Sequence, residues 1–443
     1  MGVEAANERL VSKMQCTSIL VPFRVLSLVA FAAAPFAESA SAHAAGLPLV
    51  RGLSSPAAPF VTPAVSGPTL LYNFQGGSSD GGYPYAPLIA GSSGRLYGTT
   101  NDGGPADQGT AFELNRSGPG YAERPLYAFK GGTTDGALPY GSLLLGKGGV
   151  LYGTTYSGGA FGAGCVFALT PSGSHYTESV VYSFEGSPND GANPYAGLSE
   201  DAAGTLYGTT LYGGTFGAGT VFSLTQGANG VLESVLYSFS GSSDGATPYG
   251  AVLPSSGGVL YGTATFGGSE NDGVIYALTP SGTTYVESVL HNFAGGTDGA
   301  NPYSSLVEAA NGDLFGTTVG GGSGNSGTVF RVDAAKKPYV EQVLYAFGAS
   351  GSGDGTAPYG APVLYRGGKL FGTTFGGGAY GAGTIYELSK RHKGFAETIL
   401  ASFTGFPAEA NPYSGLFEKS GALYGTTFGG GYDGYGTVFS LKL

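Results

Sequence analysis

The chain has 443 residues, among them 83 glycines, 25 prolines, 30 tyrosines and 26 phenylalanines, with no tryptophan and only 11% charged residues. A net charge of −11 argues against a nucleic-acid partner, whose phosphates demand a basic face, and against an anionic lipid surface. Disordered chains lack aromatics, whereas this one is 13% aromatic, so the glycine and proline point to a turn-rich all-β protein.

Residues 1–44 read as a secretory signal. Arg9, Lys13 and Arg24 precede an apolar stretch over 25–37, and Ala42-His43-Ala44 is a small-x-small cleavage site ahead of Ala45. The apolar stretch is too short to cross a bilayer, so no membrane span is expected after cleavage. The expected location is therefore secreted or periplasmic. Residues 45–68, rich in Pro, Ala and Ser, read as an extended linker. Cys165 is the one cysteine left after cleavage, which excludes an internal disulfide and leaves stability to the core.

From residue 69 to 443 a repeat dominates. Leu-Tyr-Gly-Thr-Thr starts at Leu96 and returns, with small variations, at Leu151, Leu206, Leu260, Leu314, Leu370 and Leu423. A Pro-Tyr pair tracks it at Tyr85, Tyr140, Tyr195, Tyr249, Tyr303, Tyr359 and Tyr413. A third block, typically Leu-Tyr-x-Phe, ends at Phe74, Phe129, Phe184, Phe239, Phe293, Phe347 and Phe403. Each unit holds four short apolar runs. In the third copy they fall at 178–184, 195–199, 205–210 and 220–225, separated by Gly-rich turns. The run after Pro-Tyr carries small residues, as an innermost strand must where blades crowd the axis. The run ending in Phe carries a Glu four residues before its Tyr position, at Glu123, Glu178, Glu233, Glu287, Glu341 and Glu397. That is the pattern of an exposed outermost strand whose charge blocks edge pairing.

The ends complement each other. The run at 70–74 is an outermost strand without its blade, and the last unit lacks one. The expected architecture is all-β: a seven-bladed β-propeller of four-stranded blades, closed by pairing the N-terminal strand with the C-terminal blade. An open solenoid would need capping repeats instead.

The recurring LYGTTxxGGxxGxGTVFxL followed by YxESVLYSFxGxxDGAxPYxxL resembles the GloVer (Gloeobacter/Verrucomicrobia) tandem repeat over roughly residues 69–443. The resemblance implies an exported bacterial protein and carries over no catalytic residues. The LYGTT strand is also kelch-like, in architecture alone.

Candidate chemistry is sparse. Asp-Gly recurs at Asp80, Asp135, Asp190, Asp244, Asp298 and Asp354, with Ala408-Glu409 in the seventh copy. Each loop offers one carboxylate while Ca²⁺ takes six to eight oxygens, so a turn-capping role is preferred. Gly-x-Ser-x-Gly occurs at 77–81 and 241–245, but in strand-to-strand loops without a histidine partner. Glu270 and Asp272 form the best acid pair, in one inter-strand loop. No metal site, no cofactor and no catalytic constellation is expected.

The chain therefore reads as a non-catalytic binding or scaffold module, expected to be monomeric, with a glycan or another protein as ligand. The alternative is a carbohydrate-active enzyme on a propeller. The long loops should share one face and present the Pro-Tyr tyrosines around the axis. A shallow aromatic surface centred on Tyr140, Tyr195, Tyr249 and Tyr303, framed by adaptable Gly-rich loops, is the expected ligand site.

Overall fold

The computed structural model describes residues 67–443, apart from 119, 228–229, 334–335, 352 and 393. The expected signal segment, 1–44, and all but the last two residues of the expected linker lie outside the described residues.

Seven four-stranded antiparallel sheets follow one another along the chain, with no α-helix among the described residues. Blade 3 is typical, running outward from the axis as Ser199–Glu200, Leu206–Thr210, Thr220–Gly227 and Gly230–Ser238. Blade 7 takes its outermost strand from the other end of the chain. Thr69–Asn73 pairs antiparallel with Thr437–Lys442, with Leu70 opposite Phe439 and Asn73 opposite Thr437. The ring is therefore closed by the orphan strand, as the complementary ends require.

The core lies between blades. Tyr97, Ala111, Leu126 and Phe129 of blade 1 pack against Leu143, Leu151, Phe167 and Leu169 of blade 2, and similar clusters recur around the ring. Burial on both faces explains why the strands read as continuous apolar runs. The glycine of Leu-Tyr-Gly-Thr-Thr exists for one aromatic ring. Gly98 sits opposite Phe112 in the ladder, and a Cβ there would lie 2.6 Å from Phe112 Cζ.

The two threonines of that block have separate tasks. The first donates its hydroxyl to the next blade, to the carbonyl of the residue after Tyr. Thr154 reaches Ala196 O at 2.8 Å, and Thr426 reaches Ala86 O at 3.1 Å across the closure. The second pairs within the blade, as Thr210 Oγ1 with Thr220 Oγ1 at 2.8 Å. In blade 4 both partners change together, to Ala264 and Val274, which sit opposite each other in the ladder. Removing both hydroxyls leaves neither orphaned, which is the tolerable way to lose a buried hydrogen bond.

Two expectations need correction. The innermost strand is shorter than 195–199: only Ser199–Glu200 joins the ladder. The preceding residues lie so close to the next blade that a Cβ on Gly141 would be 2.6 Å from Gly197 N. Their carbonyls are taken by threonine hydroxyls instead of by a strand. The glutamates of the outermost strands are half-buried and not simply exposed edge charges. The loop leaving the neighbouring blade covers them.

Candidate functional site

The axial tyrosines are positioned by a repeated kink. The residue before each proline has a positive φ of 48° to 58°, at Tyr83, Leu138, Asn193, Thr247, Asn301, Ala357 and Asn411. Such a backbone is strained for any residue but glycine, and asparagine tolerates it best. Hydrogen bonds hold it on both sides: Asn193 N donates to Ala163 O at 2.7 Å, and Leu211 N donates to Asn193 O at 3.2 Å. The two long loops of each unit also pair with each other. Gly136–Ala137 forms a two-residue ribbon with Ser157–Gly158, and five other units do the same. The loops therefore share a face, as expected, but they are pinned and not adaptable.

The kinks bring all seven Pro-Tyr tyrosines together. Each ring touches the next, with centroids 4.4 to 5.3 Å apart, in an unbroken circuit from Tyr85 through Tyr413 and back. Tyr140 stacks on Tyr195 at 17°, Tyr359 stacks on Tyr413 at 16°, and the other contacts are tilted or edge-on. Tyr195 Oη donates to Tyr413 Oη at 3.4 Å, linking blades 3 and 7. Burial raises these phenols above their ordinary pKa, Tyr85 to about 12, so they stay neutral donors at physiological pH.

Tyr140, Tyr195, Tyr249 and Tyr303 are thus brought together, with Tyr85, Tyr359 and Tyr413 completing the set. They line an axial cavity of about 630 Å³, whose walls continue through the small residues after each tyrosine to Glu308 and Glu418. The inner strands pair over only two or three residues, and the small residues before them form the cavity wall below the rings. Its lining offers aromatic faces and hydroxyls, with carboxylates only at Glu308 and Glu418. That arrangement suits a neutral ring-shaped ligand better than proton-transfer chemistry.

A second constellation lies between blades, away from the axis. Asp190 Oδ2 accepts from Tyr182 Oη at 2.9 Å and from Glu185 N at 2.7 Å, while Oδ1 accepts from Gly191 N at 2.6 Å. Glu233 of the next blade faces this carboxylate. Burial, and then Asp190, push Glu233 up to about 7. Tyr345 shows the full connection: its Oη lies 3.1 Å from both Asp354 Oδ2 and Glu397 Oε2, its one proton shared between the two carboxyl groups. The same set recurs as Tyr72-Asp80-Glu123, Tyr127-Asp135-Glu178 and Tyr237-Asp244-Glu287, with His291-Asp298-Glu341 as a variant. The Asp-Gly aspartates therefore cap their own loops and also organise the junction to the next blade. The sequence held the signal: the seventh copy has Ala401 for Tyr, Ala408 for Asp, and Pro68 where the paired strand should carry Glu.

A cavity of about 480 Å³ between blades 1 and 2, lined by Arg95, Glu113, Arg124 and His175 among others, was not anticipated. Glu113 is 2% exposed and ion-paired to Arg124 at 2.5 Å and Arg95 at 3.5 Å. The same ladder position carries Ala168, Ser223, Ala277 and Ser440 in four copies but Arg331 and Glu387 in two others, which are ion-paired as well. The sequence signal was therefore a position that alternates between small and charged residues. Glu270 is exposed on its loop, and Cys165 is fully buried beside Thr155, its thiol pushed up to about 12 by burial.

Seven four-stranded blades closed around a tyrosine-lined axis define a seven-bladed β-propeller. The chain belongs to the Gloeobacter/Verrucomicrobia repeat family, whose profile matches residues 60–258 and 226–439. A search of curated protein sequences returned no significant match. Among solved structures, a provisionally named 6-phosphogluconolactonase from Bacteroides uniformis is 15% identical with a TM-score of 0.47, over 75% of this chain and 88% of that one. Its counterpart from Bacteroides fragilis is 15% identical with a TM-score of 0.45, over 83% and 89%. A provisionally named glucose dehydrogenase from Thermus thermophilus is 16% identical with a TM-score of 0.40, over 84% and 100%. Similarity at this level does not extend to activity.

Proposed function

We propose that the protein is an exported, non-catalytic binding module that holds a glycan in the axial cavity against the tyrosine ring. The observation that carries this reading is the circuit of seven mutually packed tyrosines lining about 630 Å³. Aromatic faces supply apolar contact to the C–H faces of a sugar, and neutral phenols supply hydrogen bonds to its hydroxyls. The rings already touch one another, so little side-chain freedom is lost on binding. The signal-like residues 1–44 support a periplasmic or secreted location.

The enzyme alternative would need a poised acid or base. The most buried carboxylate among the described residues, Glu113, is held by two arginines, and Glu387 at the same position of blade 6 is held by Lys369, which favours a structural role. A glycan array tests the proposal, followed by titration of the best hit into Tyr140→Ala, Tyr195→Ala, Tyr249→Ala and Tyr303→Ala. Affinity should fall at least tenfold in one or more variants that keep a folded circular-dichroism spectrum. Undiminished binding in all four folded variants would place the site elsewhere.

A further inference from the structure

Five of the six Tyr-Asp-Glu units place a phenol between two carboxylates. The junction between blades 4 and 5 places an imidazole there. His291 Nε2 lies 3.0 Å from Asp298 Oδ2, and one donor atom from each of His291, Asp298 and Glu341 falls within a sphere where all are within 4.8 Å of one another. All three residues are half-buried, and His291 and Asp298 keep 24% and 21% of their side chains exposed. Oε1 of Glu341 is buried without a hydrogen-bond partner, as is Oε1 of Glu178, Glu233, Glu287 and Glu397 in the tyrosine units, so the imidazole is what sets this junction apart.

We propose that His291, Asp298 and Glu341 form a binding site for one divalent transition-metal ion of the zinc type. Zinc takes imidazole nitrogen and carboxylate oxygen at about 2.0–2.2 Å, which puts neighbouring ligand atoms on the order of 3.3 Å apart in a tetrahedron. His291 Nε2 and Asp298 Oδ2 are hydrogen-bonded at 3.0 Å, a few tenths of an ångström short of that spacing. The ion would therefore replace the shared proton while Ala294 N still holds Oδ2 at 3.1 Å, and Glu341, within 4.8 Å, would move in as the third ligand. Solvent reaches the site to fill the fourth position. A neutral phenol is a poor ligand at physiological pH, so the five tyrosine units are not equivalent sites. They are internal controls that differ chiefly at one residue. No such site stood out in the sequence because Asp298 and Glu341 come from different blades, joined only by the fold.

The chain itself makes the test sharp. His291→Tyr installs the residue found at five equivalent positions, so the variant should fold. Tyr237→His should create a second copy beside Asp244 and Glu287. Tag-free proteins are titrated with Zn²⁺ by calorimetry, and bound metal is counted after dialysis. The expected stoichiometries are one zinc for the native chain, none for His291→Tyr and two for Tyr237→His. Zinc should raise the melting temperature of the native chain and leave that of His291→Tyr unchanged. Glu341→Gln, read the same way, covers a failure of His291→Tyr to fold. Equal zinc uptake by the native chain and His291→Tyr, or none by the native chain, would overturn the site.

Discussion

The axis and the blade junctions are built from the same repeat but tolerate change differently. At the axis every copy keeps its tyrosine, and each ring packs against two neighbours in a closed circuit. Removing one opens a gap that two others share. At the junctions each Tyr-Asp-Glu unit joins only two blades. One unit carries His291 in place of Tyr, and the junction between blades 6 and 7 has Ala401, Ala408 and Pro68 instead. Three residues from two blades disappear together there, so the unit is one energetic entity, and its loss stays local. A closed ring constrains all its members, whereas an isolated junction is free to diverge.

The largest expected effect probes a junction by leaving it half-made. Asp135 is 5% exposed and accepts from Tyr127 Oη, Lys130 N and Gly136 N. Asp135→Ala orphans all three donors and should cost about 2 kcal/mol in urea unfolding. The reciprocal change, Ala408→Asp, adds a carboxylate where Ala401 offers no hydroxyl, and it should gain nothing. Stabilisation by Ala408→Asp alone would show that the three residues do not act as a unit.

A smaller effect is expected with pH. Burial, reinforced by the aspartate of the preceding blade, raises Glu178, Glu233, Glu287 and Glu397 from 4.5 to about 7, and Glu123 to about 8. A carboxyl with a raised folded-state pKa favours folding in its neutral form. That contribution is complete below about pH 4.5 and is lost as pH rises through 7 to 8. These groups are partly exposed, so solvent screening keeps each contribution small. The melting temperature should decline from pH 5 to pH 8, and combined Glu178→Gln, Glu233→Gln and Glu397→Gln should flatten the decline. A native-chain melting temperature that rises over this window would contradict the assignment.

The blade count, strand order within blades and ring closure were legible because a fixed repeat interval and complementary ends constrain topology strongly. What escaped the sequence depends on contacts between repeats. Glu178 looks like an edge charge on its own strand, and only the fold brings Asp135 of the preceding loop against it. The axial tyrosines could be placed near the axis from Pro-Tyr alone. Their mutual contacts around the axis depend on how neighbouring blades are spaced, which composition does not reveal. The paired loop ribbons were hidden for the same reason: glycine announces freedom in the unfolded chain, and here both backbones are hydrogen-bonded.

Two double-mutant cycles test the contrast between locked axis and local junctions most directly. Tyr140 and Tyr195 stack at 4.6 Å, so Tyr140→Ala and Tyr195→Ala should couple by about 1 kcal/mol or more in urea unfolding. Asp135 and Asp354 belong to separate junctions, so Asp135→Ala and Asp354→Ala should add to within about 0.5 kcal/mol. Additive tyrosines together with strongly coupled aspartates would contradict the account.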